Sequence, residues 1–179
     1  MIAARPALKM SASELRLSAL LRAFDAEEPA PLHEHSVHGK YDVAQEIDDI
    51  GRGHRVYFVR EWGAKKFLKI GMTSQAVWQR LALMQSGNPR PLIEIGSIPG
   101  GRVSEVAIHR ALEASRVQRE WFRLDSFTGA AITAILKTSP KTNRNPHRSL
   151  EALAWVLDRL PARDAAELPL VVEPLHPNA

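Results

Sequence analysis

Two runs, Val56-Tyr57-Phe58-Val59 and Phe67-Leu68-Lys69-Ile70-Gly71-Met72-Thr73, decide how this chain folds. The first lies in a β-branched and aromatic segment, Arg55 to Trp62, and reads as a strand. Gly63-Ala64 turns the chain, and Lys66 to Gly71 reads as its hairpin partner. Thr73 or Ser74 is the candidate cap of a helix near 74–86, because either hydroxyl can accept from a free first-turn N–H. In it Val77, Leu81 and Met84 form one apolar stripe, and Gly87-Asn88-Pro89 ends it. Leu92 to Ile98 alternates as a third strand. Pro99-Gly100-Gly101 then turns into a second helix near 103–116, with Ser104 as candidate cap.

The expected fold is therefore α/β of the α+β kind: a small three-stranded, mainly antiparallel sheet flanked by helices, with extra N- and C-terminal helices. Four segments are expected: an N-terminal helical and linker extension (1–50), a central α/β domain (51–125), a helical brace (126–160) and a disordered tail (161–179).

Outside the central unit, Ser11-Ala12-Ser13-Glu14 fits a capping box, and Leu17, Leu20, Leu21 and Phe24 give an amphipathic face. His33, His35 and His38 sit in a Pro-containing linker, where a solvated loop is a better reading than a metal site. Val43, Ile47 and Ile50 recur at helical spacing. Phe127 to Lys137 and Leu150 to Leu160 read as helices, the second with Trp155 facing outward. Between them lies a basic loop carrying Lys141 and Arg144.

Charge separates the same segments. Residues 1–50 carry net −4, residues 51–125 net +7 and residues 126–179 net +1. The positive charge sits on the central unit, as a polyanion-binding surface requires; a merely solvated basic face is the plainer alternative. With no cysteine, disulfides and thiolate zinc sites are excluded. No apolar run approaches the roughly eighteen residues of a membrane span, and no signal-peptide core is seen, so a soluble, cytoplasmic protein without a membrane partner is expected.

On the second helix, Glu105, His109 and Arg116 fall on one stripe at 3.6-residue periodicity, while Arg80 borders the apolar stripe of the first helix. The order Val-Tyr-Phe, Lys-Ile-Gly, helix Arg, helix Glu resembles the GIY-YIG nuclease superfamily. It is closest to the phage and bacterial branch with Lys-Ile-Gly as second motif and Glu120-Trp121-Phe122 at the end. The resemblance covers roughly seventy residues. Two departures are Lys69, where tyrosine is usual, and the absence of a terminal asparagine.

The resemblance implies a divalent-metal-dependent endonuclease acting on DNA. Tyr57 would orient the attacking water, Lys69 and Arg80 would hold phosphate, and Glu105 would bind a single Mg²⁺ or Mn²⁺. His109 would move a proton or partner Glu105, and Glu120 is a candidate second carboxylate. Arg60, Lys65, Lys66, Lys141 and Arg144 are the expected nucleic-acid contacts. Each has a plainer role: a packed strand tyrosine, a snorkelling helix-edge arginine, a carboxylate complementing a helix dipole. Two other readings stay open: a non-cleaving nucleic-acid-binding module, and a protein adaptor working through the flanking helices.

Overall fold

The computed structural model describes residues 42–63 and 66–161. In order it has α1 (Val43–Gly51), β1 (Arg55–Glu61), β2 (Phe67–Thr73), α2 (Val77–Gln85), β3 (Leu92–Pro99) and α3 (Arg102–Ala111). A 3₁₀ turn (Glu113–Ser115), β4 (Arg116–Gln118), β5 (Trp121–Arg123), α4 (Ser126–Thr138) and α5 (Pro146–Leu157) follow. The readings at residues 11–24, at the three linker histidines, at Lys65 and at the tail lie outside the described residues.

The sheet has five strands, not three, in the order β3-β1-β2-β5-β4, and every pairing is antiparallel. The two added strands span three residues each, too short for an alternating pattern to stand out in sequence. Only the first residue of β4, Arg116, falls within the expected second helix; the rest lies beyond it. That helix stops at Ala111, and Arg116 begins β4, so the expected Glu105–His109–Arg116 stripe does not form. A tight turn with Arg119 at φ 49° joins β4 to β5, and Arg116 donates to the Arg119 carbonyl there.

Val56, Phe58, Leu68, Ile70 and Phe122 point to one face of the sheet and are fully buried. They pack against Val103, Ala107 and Ile108 of α3, Ile132 and Ile135 of α4, and Leu150 and Leu153 of α5. Alternation sends Tyr57 and Val59 to the opposite face, where α2 covers them with Val77, Leu81 and Met84. One helix therefore lies on one face of the sheet and the rest of the helical layer on the other.

The helix starts differ from the expected ones. Ala76 precedes α2 without a side-chain cap, while the Thr73 hydroxyl accepts from Gln75 N–H instead. Gly101 precedes α3, and the cap comes from α1. The buried Glu46 carboxylate accepts from Gly101 N–H (2.6 Å), Val103 N–H (2.9 Å), Ser104 N–H (3.1 Å) and the Ser104 hydroxyl (2.5 Å). Hydrogen bonds to a charged group contribute about 1.5–3 kcal/mol each, so this cap is a strong tie between α1 and α3. Val43 and Ile50 add apolar burial, which makes α1 part of the core.

Candidate nucleic-acid site at the β2 edge

β2 has two partners, and neither pairs along its full length. β1 pairs from Val59↔Lys69 to Arg55↔Thr73, whereas β5 pairs only through Phe67, Leu68 and Lys69. Beyond Glu120, whose carbonyl accepts from Ile70 N–H, no strand among the described residues flanks the outer edge of β2. A buried edge with unpaired backbone groups is costly, so those groups need other partners. Side chains of α3 supply them. His109 Nε2 lies 3.1 Å from the Ile70 carbonyl, and Glu105 accepts from the Met72 N–H.

The cluster gathers around this notch. Tyr57 pairs across the ladder with Gly71, and its ring lies over that glycine; a Cβ at Gly71 would come within 2.5 Å of the Tyr57 hydroxyl. The hydroxyl and the Glu105 carboxylate thus meet adjacent residues of one strand, Gly71 on its face and Met72 on its edge. Tyr57 donates to Met84 Sδ (3.6 Å) and accepts from Arg80, whose guanidinium is held charged more firmly by that bond. Lys69 makes an ion pair with Glu120 and stands over the Trp121 ring at 5.9 Å. Arg102 bonds Glu105 at 2.5 Å, with the arginine side chain 64% exposed and the glutamate only 2%.

These groups do not share one face of the sheet. Tyr57, Lys69 and Arg80 come from the α2 side, while Glu105 and His109 approach from α3 on the other. Glu120 joins the two halves: its charge acts on Arg80, Glu105 and His109 and it is bonded to Lys69.

Burial pushes the Glu105 carboxyl above its ordinary value; Arg102 opposes that and the charge of Glu120 adds to it. Burial likewise lowers His109 to about 4. At neutral pH its ring is uncharged, and because a carbonyl only accepts, Nε2 carries the proton and Nδ1 the lone pair. His109 also packs on Phe122, ring centroids 5.0 Å apart.

The expected nucleic-acid contacts are dispersed. Arg60 lines a groove with Ile93, Ile95 and Leu136 on the β3 side, away from the notch. Lys66 is exposed just before β2. Lys141 and Arg144 are exposed on the α4–α5 connection, where Lys141 donates to the Leu136 carbonyl. That connection is pinned by Asn143, which donates to Ile50 and accepts from Arg55 at the Thr73 end of the sheet. Sequence reasoning missed Arg102 and Glu46. An arginine three residues before a candidate glutamate was the available signal for the first; a contact across more than fifty residues left none for the second.

A family model, that of the T5orf172 domain, matches residues 54–138, just under half of the chain. This is a phage and bacterial DNA-related domain, compatible with nuclease or nucleic-acid-binding activity. The match corrects the resemblance to GIY-YIG nucleases, from which this family is distinct. A tyrosine in a strand and an Ile-Gly at a strand end are common features of paired strands, and their order alone did not discriminate. No curated protein and no solved structure matches the chain. Among the described residues no helix is long and apolar enough to cross a membrane.

Proposed function

We propose that the protein is a divalent-metal-dependent endonuclease that hydrolyses phosphodiester bonds, with DNA as its substrate. The observation that carries the reading is the buried Glu105 carboxylate, set on the strand residue next to the one that seats the Tyr57 hydroxyl, in a notch that also gathers Lys69, Arg80, Arg102 and Glu120. A surface that only binds phosphate has no use for a carboxylate there. Acids perturbed by burial and by a specific charge partner cluster where chemistry is done.

The donor set suits Mg²⁺ or Mn²⁺. Such an ion takes one or two carboxylates and keeps several waters, so the lack of a three-ligand cluster among the described residues is no obstacle. Glu105 and Glu120 repel each other, and a cation relieves that repulsion. These two residues would hold the ion, which when bound would supply an activated water and neutralise phosphoryl charge.

The remaining roles belong to the chain. Arg80, fixed against the Tyr57 hydroxyl, holds a phosphate oxygen and orients the phenol toward the attacking water. Arg102 is exposed enough to leave Glu105 and take phosphate, for which the planar guanidinium is suited. Lys69 can exchange Glu120 for phosphate as a point charge. Neutral His109 fixes α3 on β2 and keeps its Nδ1 lone pair for a proton.

Incubation of supercoiled plasmid with the protein and Mg²⁺ or Mn²⁺ should give nicked and linear products, and EDTA should abolish them. Salt-sensitive binding without cleavage, with either metal and on single- or double-stranded substrates, would leave the binding-module reading in its place.

A further inference from the structure

Glu46 lies outside the residues matched by the family model, yet it is 1% exposed and spends both carboxylate oxygens on the first turn of α3. Gly101 keeps the room it needs, since a Cβ there would lie 2.8 Å from Glu46 Oε2. The helix so held carries Glu105 in the same first turn and His109 one turn later, the two residues that complete the β2 edge.

We infer that Glu46 is a positioning residue, fixing the axial placement of α3 and with it Glu105 against Met72 and His109 against Ile70. The catalytic half of this inference rests on the proposed function; the geometric half does not. Apart from Glu46, α3 is held by Val103, Ala107 and Ile108 in the core, which resist sliding less than directed bonds do, and by the two bonds to β2 whose placement is at issue. A carboxylate meeting three N–H groups and a hydroxyl sets both the height and the rotation of the helix. Glu46→Gln keeps the size but places an NH₂ donor against backbone donors, so one oxygen's bonds are lost and the first turn must shift. A misplacement of about 1 Å costs on the order of a hundredfold in rate.

The test uses the full-length protein, wild type and Glu46→Gln, checked for folding by circular dichroism. Imidazole ¹⁵N spectra report the His109 tautomer, and plasmid nicking gives kcat and KM. Wild type should show one Nε2–H tautomer. A folded variant should show mixed tautomers and a kcat lower by about a hundredfold with KM little changed. An unchanged imidazole spectrum in a folded variant would overturn the inference. Altered tautomers with unaltered kcat would overturn its catalytic half. If wild type does not cleave, the proposed function fails while the imidazole spectra still decide the role of Glu46. Should Glu46→Gln not fold, Glu46→Asp, which keeps the charge on a shorter arm, is read the same way. Failure of both to fold would make Glu46 a residue of stability alone and overturn the proposal.

Discussion

Two margins of the sheet, one at the outer strand β3 and one where β5 stops short of β2, are filled in opposite ways. At β3, the outer strand on one side, a groove of about 340 Å³ is lined mainly by Ile93, Ile95, Leu124, Ile132 and Leu136. At the notch beside β2, the middle strand of the sheet, an arginine–tyrosine pair, two glutamates, a lysine and a buried neutral histidine gather instead. Burying ionisable groups is costly, and apolar packing would close the β2 notch at lower cost. On the proposed function, the chemistry belongs at β2 and the β3 side is left to packing. It can be broken or sharpened by experiment.

The largest expected effect is on cleavage. Arg80→Ala removes the donor beside Tyr57 and should lower kcat by about 10²–10³-fold, with weaker nucleic-acid binding as well. The matched change on the other side, Arg60→Ala, should leave kcat close to wild type. Plasmid-nicking time courses on both variants check the contrast, and equal losses would erase it.

Next comes packing. An alanine Cβ at Gly71 would press on the Tyr57 hydroxyl at 2.5 Å and on its rigid ring at 2.7 Å, whereas at Gly96 it would meet the flexible end of Leu136 at 2.8 Å. Overpacking costs about 1–3 kcal/mol, and the Gly71→Ala cost should lie at the upper end. Gly96→Ala should cost less because Leu136 can rotate away. Urea denaturation midpoints of the two variants measure this, and a reversed order would mean that the Tyr57 ring is not seated as described.

How much of this was legible beforehand depended on range. Tyr57, Lys69 and the β1–β2 pairing could be read because alternation and turn residues are local signals. The notch could not, because it forms where β5 stops short of the full β2 strand. A three-residue strand such as Trp121–Arg123 has no period to detect. Nor does anything near Glu46 announce a cap for a helix more than fifty residues away. The order of motifs, by contrast, was over-read: it suggested a family that the T5orf172 match corrects.

A smaller effect is expected from pH. His109 is lowered to about 4 in the folded chain against 6.5 ordinarily, so between those values the unfolded state binds more protons. Its contribution is fully present above about pH 6.5 and is lost as pH falls toward 4, an upper limit on the order of 3 kcal/mol. Glu105, raised by burial, acts in the opposite sense and reduces the net loss. Denaturation of wild type and His109→Gln between pH 7 and 4 should show a shallower acid dependence in the variant; parallel curves would show that His109 does not titrate as described.

The central claim is that the Glu105 carboxylate in the β2 notch holds the metal. Mn²⁺ binding followed by electron paramagnetic resonance tests it directly, on wild type and Glu105→Gln, with DNA affinity measured in parallel. The account predicts one Mn²⁺ per chain in wild type, bound about a hundredfold or more weakly once the charge is removed, while DNA affinity stays or rises. Equal Mn²⁺ affinity in the two proteins, or no binding by wild type, would contradict it.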